Sequence, residues 1–167
     1  MDITIKRLPM KRVVHGWAWA LCVSFALGAA SAAEGPHPFE DPKTHLWGYR
    51  NSSGKVLIKP RFLAVESFSP LGLAPVADDT GWKYINRRGE VVIRPFMVDN
   101  GPDPFREGLA RYRRSGKFGF FDERGNVVIP ACLDFAEPFS SGLAAFCLGC
   151  REHEEDEHHV YRGGKWG

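Results

Sequence analysis

A short motif recurs three times along the chain, and this periodicity limits the fold more than any other feature of the sequence. Trp47 to Pro60 reads W-G-Y-R-N-S-S-G-K-V-L-I-K-P, Trp82 to Pro95 reads W-K-Y-I-N-R-R-G-E-V-V-I-R-P, and Phe118 to Pro130 reads F-G-F-F-D-E-R-G-N-V-V-I-P. A fourth copy opens at Trp166-Gly167. The starts lie 35 residues apart from Trp47 to Trp82 and 36 apart from Trp82 to Phe118. Self-similarity at such a period marks a repeat architecture, in which each unit buries its apolar face against its neighbours.

Each unit reads as β-structure. Trp47 and Tyr49, Trp82 and Tyr84, and Phe118 and Phe120 alternate with other residues, so each pair shares one face of a strand and predicts a core. The turns N-S-S-G, N-R-R-G and D-E-R-G follow. Asn or Asp opens a type I turn because its side chain bonds the backbone two residues on. Gly54, Gly89 and Gly125 then take the left-handed conformation that closes a three-residue hairpin loop. The second strands, Val56-Leu57-Ile58, Val91-Val92-Ile93 and Val127-Val128-Ile129, are apolar throughout, which predicts cover on both faces. Pro60, Pro95 and Pro130 are expected to end them, because proline cannot donate to a ladder. A connector carries Phe68, Phe105 or Phe139 and closes on Gly72, Gly108 or Gly142; F-R-E-G and F-S-S-G suggest one helical turn ended by glycine. A third strand begins at Leu73, Leu109 or Leu143 and turns into the next aromatic strand.

These motifs resemble the WG-repeat (KWG-type) family of bacterial proteins. The residues that carry the likeness are Leu46-Trp47-Gly48-Tyr49, Gly116 to Asp122, the terminal Gly164-Lys165-Trp166-Gly167, the G-x-V-[LV]-I-x-P strand and the F-x-x-G-L-A connector. Lys83 stands where the family has glycine, and Phe118 replaces the tryptophan. The resemblance implies envelope or secreted repeat proteins that act as binding modules, with no established catalytic site.

The fold class expected is all-β: tandem three-stranded antiparallel meanders stacked in an open, twisted array, with a propeller-like arrangement as the alternative. A closed propeller typically has four to eight blades of four strands each, more than these units offer. Residues 46–167 form the repeat domain, with units at about 46–81, 82–117 and 118–164 and a fourth copy truncated at 165–167. The Pro-rich lead-in, residues 34–45, is placed to cover the first end; at the other end Trp166-Gly167 opens a hairpin with no second strand after it.

Residues 1–33 read as a signal peptide. Lys6, Arg7, Lys11 and Arg12 precede an apolar run from Trp17 to Ala30, and Ala30-Ser31-Ala32 is an A-x-A cleavage signal. The apolar run is short for a bilayer span of about 20 residues, so no membrane span is expected after cleavage; retention as an anchor is the alternative. Cleavage leaves 18 basic against 19 acidic residues, and no basic stripe remains for nucleic acid. Export implies an oxidising compartment, where thiols pair.

The third unit departs from the pattern. Ten residues separate the connector glycine from the next aromatic start in the first two units, and 24 separate Gly142 from Trp166. The extra stretch carries Cys147, Cys150, His153, His158, His159 and the carboxylates of Glu152, Glu154, Glu155, Asp156 and Glu157. Counted from the proline, Cys132 aligns with Phe62 and Met97 and is expected to be buried. Cys147 aligns with Ala77 and Arg113 and is expected to face outward, on the side opposite Cys132. Three readings stay open. The stretch is an acidic hairpin extension, pinned by a Cys147–Cys150 disulfide or merely solvated; or Cys147, Cys150 and one or two of His153, His158 and His159 hold zinc; or the C-x-x-C pair is a thiol–disulfide catalyst. The last lacks the helix N-terminus that activates such thiols.

Elsewhere no G-x-S-x-G, phosphate-binding glycine loop or H-E-x-x-H occurs, and Asp78, Asp79 and Glu107 read as solvated turn residues. The sequence therefore predicts a non-enzymatic, exported protein with no cofactor. It would bind an envelope protein, or associate with itself through the open C-terminal end. Metal binding through residues 147–159 and cell-wall or carbohydrate binding are the alternatives.

Overall fold

The computed structural model describes residues 35–99, 101–155 and 158–167, and every regular element among them is a strand. The signal-peptide reading falls on residues outside these. In chain order the strands are β1 (His37–Glu40), β2 (Trp47–Arg50), β3 (Val56–Phe62), β4 (Ala64–Val65), β5 (Ala74–Asp78), β6 (Gly81–Ile85), β7 (Val91–Ile93), β8 (Met97–Val98), β9 (Gly101–Pro102), β10 (Leu109–Arg114), β11 (Lys117–Asp122), β12 (Val127–Leu133), β13 (Phe135–Ala136), β14 (Phe146–Glu155) and β15 (His158–Trp166). They form small antiparallel sheets in the orders β1-β2-β3, β4-β5-β6-β7, β8-β9, β10-β11-β12 and β13-β14-β15.

The sheets straddle the sequence units. The third strand of one unit pairs with the aromatic strand of the next, so β5 joins β6, β10 joins β11 and β14 joins β15. Ala77 faces Trp82, Arg113 faces Phe118 and Cys147 faces Trp166 in equivalent registers. At the first sheet the lead-in supplies the missing strand: β1 pairs with β2, with Glu40 opposite Trp47. The N-S-S-G-type turns form as their residues dictate. Asn51, Asn86 and Asp122 accept hydrogen bonds from backbone N–H groups two or four residues on.

The aromatic strands are central in their sheets, and their two faces feed two cores. On β6, Ile85 packs with Tyr49, Ile58, Ala74 and Val76 of the preceding unit, while its neighbour Tyr84 packs with Tyr112 of its own unit and Phe121 of the following one. On β11, Phe121 belongs to that second cluster, and Phe118 and Phe120 to a third with Ala136. Tyr84, Phe105 and Phe121 form an edge-to-face triangle with centroid separations of 5.7, 5.6 and 5.3 Å, the geometry that ring quadrupoles favour.

Here the structure corrects the sequence reading. The valine-rich second strands are not covered on both faces. They are the outer strands, and Val56, Leu57, Val91, Val92, Val127 and Val128 are exposed. The aromatic strands take the buried position instead, because large rings fill two neighbouring cores. The connectors contain no helical turn: Arg106 and Leu109, and likewise Ser140 and Leu143, exchange both backbone hydrogen bonds. The residues between, Glu107-Gly108 and Ser141-Gly142, all have positive φ, as in a type I′ turn. Glu107 is also more than a solvated turn residue, since Gly142 N–H donates to it at 2.9 Å.

The prolines do not end all the outer strands either. Pro60 and Pro130 lie within β3 and β12, at a bulge where Trp47–Tyr49 spans Phe62–Ile58 and Phe118–Phe120 spans Leu133–Ile129. The bulge explains the glycine after the aromatic residue. A Cβ on Gly48 would stand 2.5 Å from the Ile58 carbonyl oxygen and 2.7 Å from the Pro60 nitrogen, and one on Gly119 would stand 2.5 Å from the Ile129 oxygen. In the second unit Lys83 takes this place, and β7 stops at Ile93, short of the position where β3 and β12 bulge at proline. The buried Lys83 ammonium bonds instead to Asp78 and Thr80. Gly48→Ala is expected to destabilise the protein by about 2–3 kcal/mol, against less than about 0.5 kcal/mol for Gly101→Ala, which meets open space; urea unfolding of both variants checks this.

Candidate functional site

The insertion of the third unit is a long hairpin, β14 and β15, continuous with the repeat register. Glycines at 149, 163 and 164 have positive φ, and the two strands press together at Gly164, where a Cβ would lie 2.5 Å from Cys150 N. Cys147 and Cys150 are joined by a disulfide across this distortion, with Cα atoms 6.0 Å apart. Cys147 is fully buried rather than outward-facing, and Cys132 is exposed rather than buried. Both reversals have a physical cause. The register runs from the isoleucine, not the proline, so Leu133 rather than Cys132 stands opposite Phe118 where Phe62 stands opposite Trp47. Cys147 is covered by the strand opposite, its sulfur lying 2.8 Å from where a Gly164 Cβ would be.

His153 and His159 lie further along the hairpin than the cysteines. His153 pairs with Val160 and is exposed, and His159 Nδ1 lies 3.4 Å from Glu152 Oε1. His158 holds a backbone place opposite Glu155. Among the described residues no group of three or more His, Cys, Asp or Glu is arranged to hold a metal ion. What the hairpin does assemble is an anchor. Glu152 accepts from Arg113 Nη2 at 2.5 Å and from the Tyr161 hydroxyl at 2.8 Å, and the Tyr161 ring stacks on Phe135 at 4.2 Å. Asp134 accepts from Lys117 and from Gly149 N–H.

These bonds hold the carboxylates in their charged form. Hydrogen bonding from Arg113 keeps Glu152 below the usual carboxylate range, and Lys117 with the Gly149 amide does so for Asp134. Burial, followed by the bond to Glu152, pushes Tyr161 up to about 12. A carboxylate with a lowered folded pKa stabilises above its unfolded value, near pH 4, and loses that contribution as pH falls through the folded value. The drop in Tm on acidification from about pH 6 to about pH 3 is therefore expected to be smaller in Glu152→Gln/Asp134→Asn than in the native protein.

A buried ion pair lies in the second unit, where the sequence reading does not place one. Asp103, 1% exposed, accepts from Arg111 N at 2.8 Å, Nε at 3.1 Å and Nη2 at 2.7 Å. Arg111 Nη1 donates to the Ala136 carbonyl at 2.9 Å, and its guanidinium lies over the Phe96 ring. Its position corresponds to Pro75 and Ala145, so only the oddity of a charge there was readable. Asp103→Ala leaves a buried cation without its partner, and a loss of about 3–5 kcal/mol is expected; Asp103→Ala/Arg111→Met should recover most of it, as read by urea denaturation.

The remaining feature is a surface. The exposed apolar pairs of β3, β7 and β12 recur once per unit, and exposed Lys55, Lys59, Arg61, Arg94 and Arg124 lie beside them along the chain. In the stack, the Gly89 carbonyl accepts from Arg61 Nη2 at 2.6 Å, and a Cβ on Gly125 would collide with Val92. The second and third hairpin loops thus rest on the outer strand before them. Among the described residues no helix is long and apolar enough to cross a membrane.

Stacked small antiparallel sheets with shared cores and one recurrent surface define a β-repeat protein. The sequence matches the WG containing repeat at residues 47–79, 82–118 and 118–149, and the chain belongs to that family. No curated protein and no solved structure matches it at a significant level.

Proposed function

We propose that this chain is an exported, non-enzymatic repeat protein of the bacterial cell envelope that binds another protein through its outer strands. The observation that carries the reading is the exposure of Val56 and Leu57 (46 and 43%), Val91 and Val92 (54 and 38%), and Val127 and Val128 (51 and 50%). Apolar residues on sheet edges are normally blunted or covered, because an unpaired strand edge recruits other chains. Here they recur in register across consecutive units. The neighbouring lysines and arginines favour a partner segment that carries carboxylates, laid down in extended form against the sheet edges. Membership of the repeat family supports a binding role, and the signal-type segment at residues 1–33 supports export.

A charge on this surface tests the proposal. Chemical crosslinking in envelope extract, with identification by mass spectrometry, is expected to capture a defined protein with the native chain and to lose it, at least tenfold in yield, with Val56→Lys/Val128→Lys. Equal capture by both chains, or no protein above background with either, removes the reading. Both valines are half-exposed, so the variant is expected to keep its fold.

A further inference from the structure

A cleft of about 450 Å³ opens where the first, second and third units meet. Leu71 and Pro75 come from the first unit, Tyr84 and Phe105 from the second, and Glu123 from the hairpin turn of the third, with Glu66 at the first-unit side. The cleft arises from a difference between units. In the first, the Tyr49 hydroxyl donates to the Glu66 carbonyl at 2.7 Å and its ring lies 4.7 Å from Phe68. In the third, Phe120 and Phe139 lie 4.9 Å apart. In the second, Asp103 corresponds to Glu66 but is held by Arg111, and β9 pairs with β8 instead of β10. Tyr84 and Phe105 are therefore 5.7 Å apart.

The Tyr84 hydroxyl is left without a hydrogen-bond partner among the described residues. Tyr84 is only 6% exposed, lines the cleft, and has no fully enclosed unpaired polar atom, so its hydroxyl faces the cavity. Glu66 and Glu123 are exposed and form no ion pair among the described residues, and no lysine or arginine lines the cleft. Burial, with the Glu66 and Asp103 charges, pushes the Tyr84 phenol up to about 12, so it stays neutral and offers its oxygen as an acceptor. Two carboxylates and a phenol beside aromatic walls suit one chemistry: a positive head with apolar flanks, stabilised by charge, by N–H donation and by the ring faces.

We infer that this cleft binds an organic cation of the alkylammonium or guanidinium type, seated against Tyr84 and Phe105 and neutralised by Glu66 and Glu123. The cation is either a free small ammonium compound or the head of a lysine or arginine side chain from a protein partner. The site is distinct from the exposed apolar pairs of the outer strands.

Amide NMR titration of the full chain separates the sources. The probes are choline, Nα-acetyl-lysine methylamide, Nα-acetyl-arginine methylamide, and 3,3-dimethylbutanol as the uncharged counterpart of choline. Saturable shifts at residues around Tyr84 and Phe105 are expected with at least one cation, and at least tenfold weaker binding in Glu66→Gln/Glu123→Gln. Saturation by choline assigns a free ligand; saturation by the amino-acid amides alone assigns a partner side chain. Tyr84→Phe, which removes only the hydroxyl, should weaken N–H-bearing probes more than choline. Binding should survive Val56→Lys/Val128→Lys, which keeps this result separate from the test of the outer strands. Equal affinity for the uncharged probe, no saturable shift with any cation, or no effect of the double glutamine variant overturns the inference.

Discussion

The structure depends on central strands that serve two cores at once. Adjacent residues of β6, Tyr84 and Ile85, are both buried, but in different clusters. The same holds for Phe120 and Phe121 of β11. Side chains alternate across a strand, so a strand with large apolar groups on both faces must be sandwiched. No unit closes a core alone. The array is a chain of nearest-neighbour interfaces, and the disposition of the outer strands, the cleft and the insertion hairpin follows from it.

Much of this was readable from residue types. The N-S-S-G, N-R-R-G and D-E-R-G turns carry their geometry in the Asn or Asp side chain and the glycine, and they form as expected. The aromatic strands were recognisable as core by their alternation. The second face of those strands was not, because Arg50 stands where Ile85 and Phe121 stand, and one polar residue in three obscured the pattern. The valine strands misled for a related reason. A run apolar on both sides fits a buried strand and also an outer strand with a binding surface, and local sequence does not distinguish the two. The connectors were misread as helical because F-x-x-G fits both a glycine-ended helical turn and a two-residue hairpin turn.

At the candidate sites, legibility followed locality. The insertion stood out by its length and composition, and its hairpin continues the register of Ala77 and Arg113. Cys132 and Cys147 were placed wrongly because an alignment anchored on proline hides the missing residue between Ile129 and Pro130, and because the covering glycine, Gly164, lies on another strand. The Asp103–Arg111 pair and the cleft at Tyr84 were out of reach for the same reason: each depends on which route a connector takes through space.

The match between Gly48 and the bulge at Pro60 has a consequence for how such chains diversify. A bare α-carbon on the central strand and an extra loop of backbone on its neighbour are two halves of one fitting, and the second unit, with Lys83 and a shortened partner strand, has exchanged both halves together. Units of the two kinds are therefore interchangeable only as cassettes that run from the aromatic strand through the following proline. Recombination that cuts between them joins a side chain to a backbone that leaves it no room.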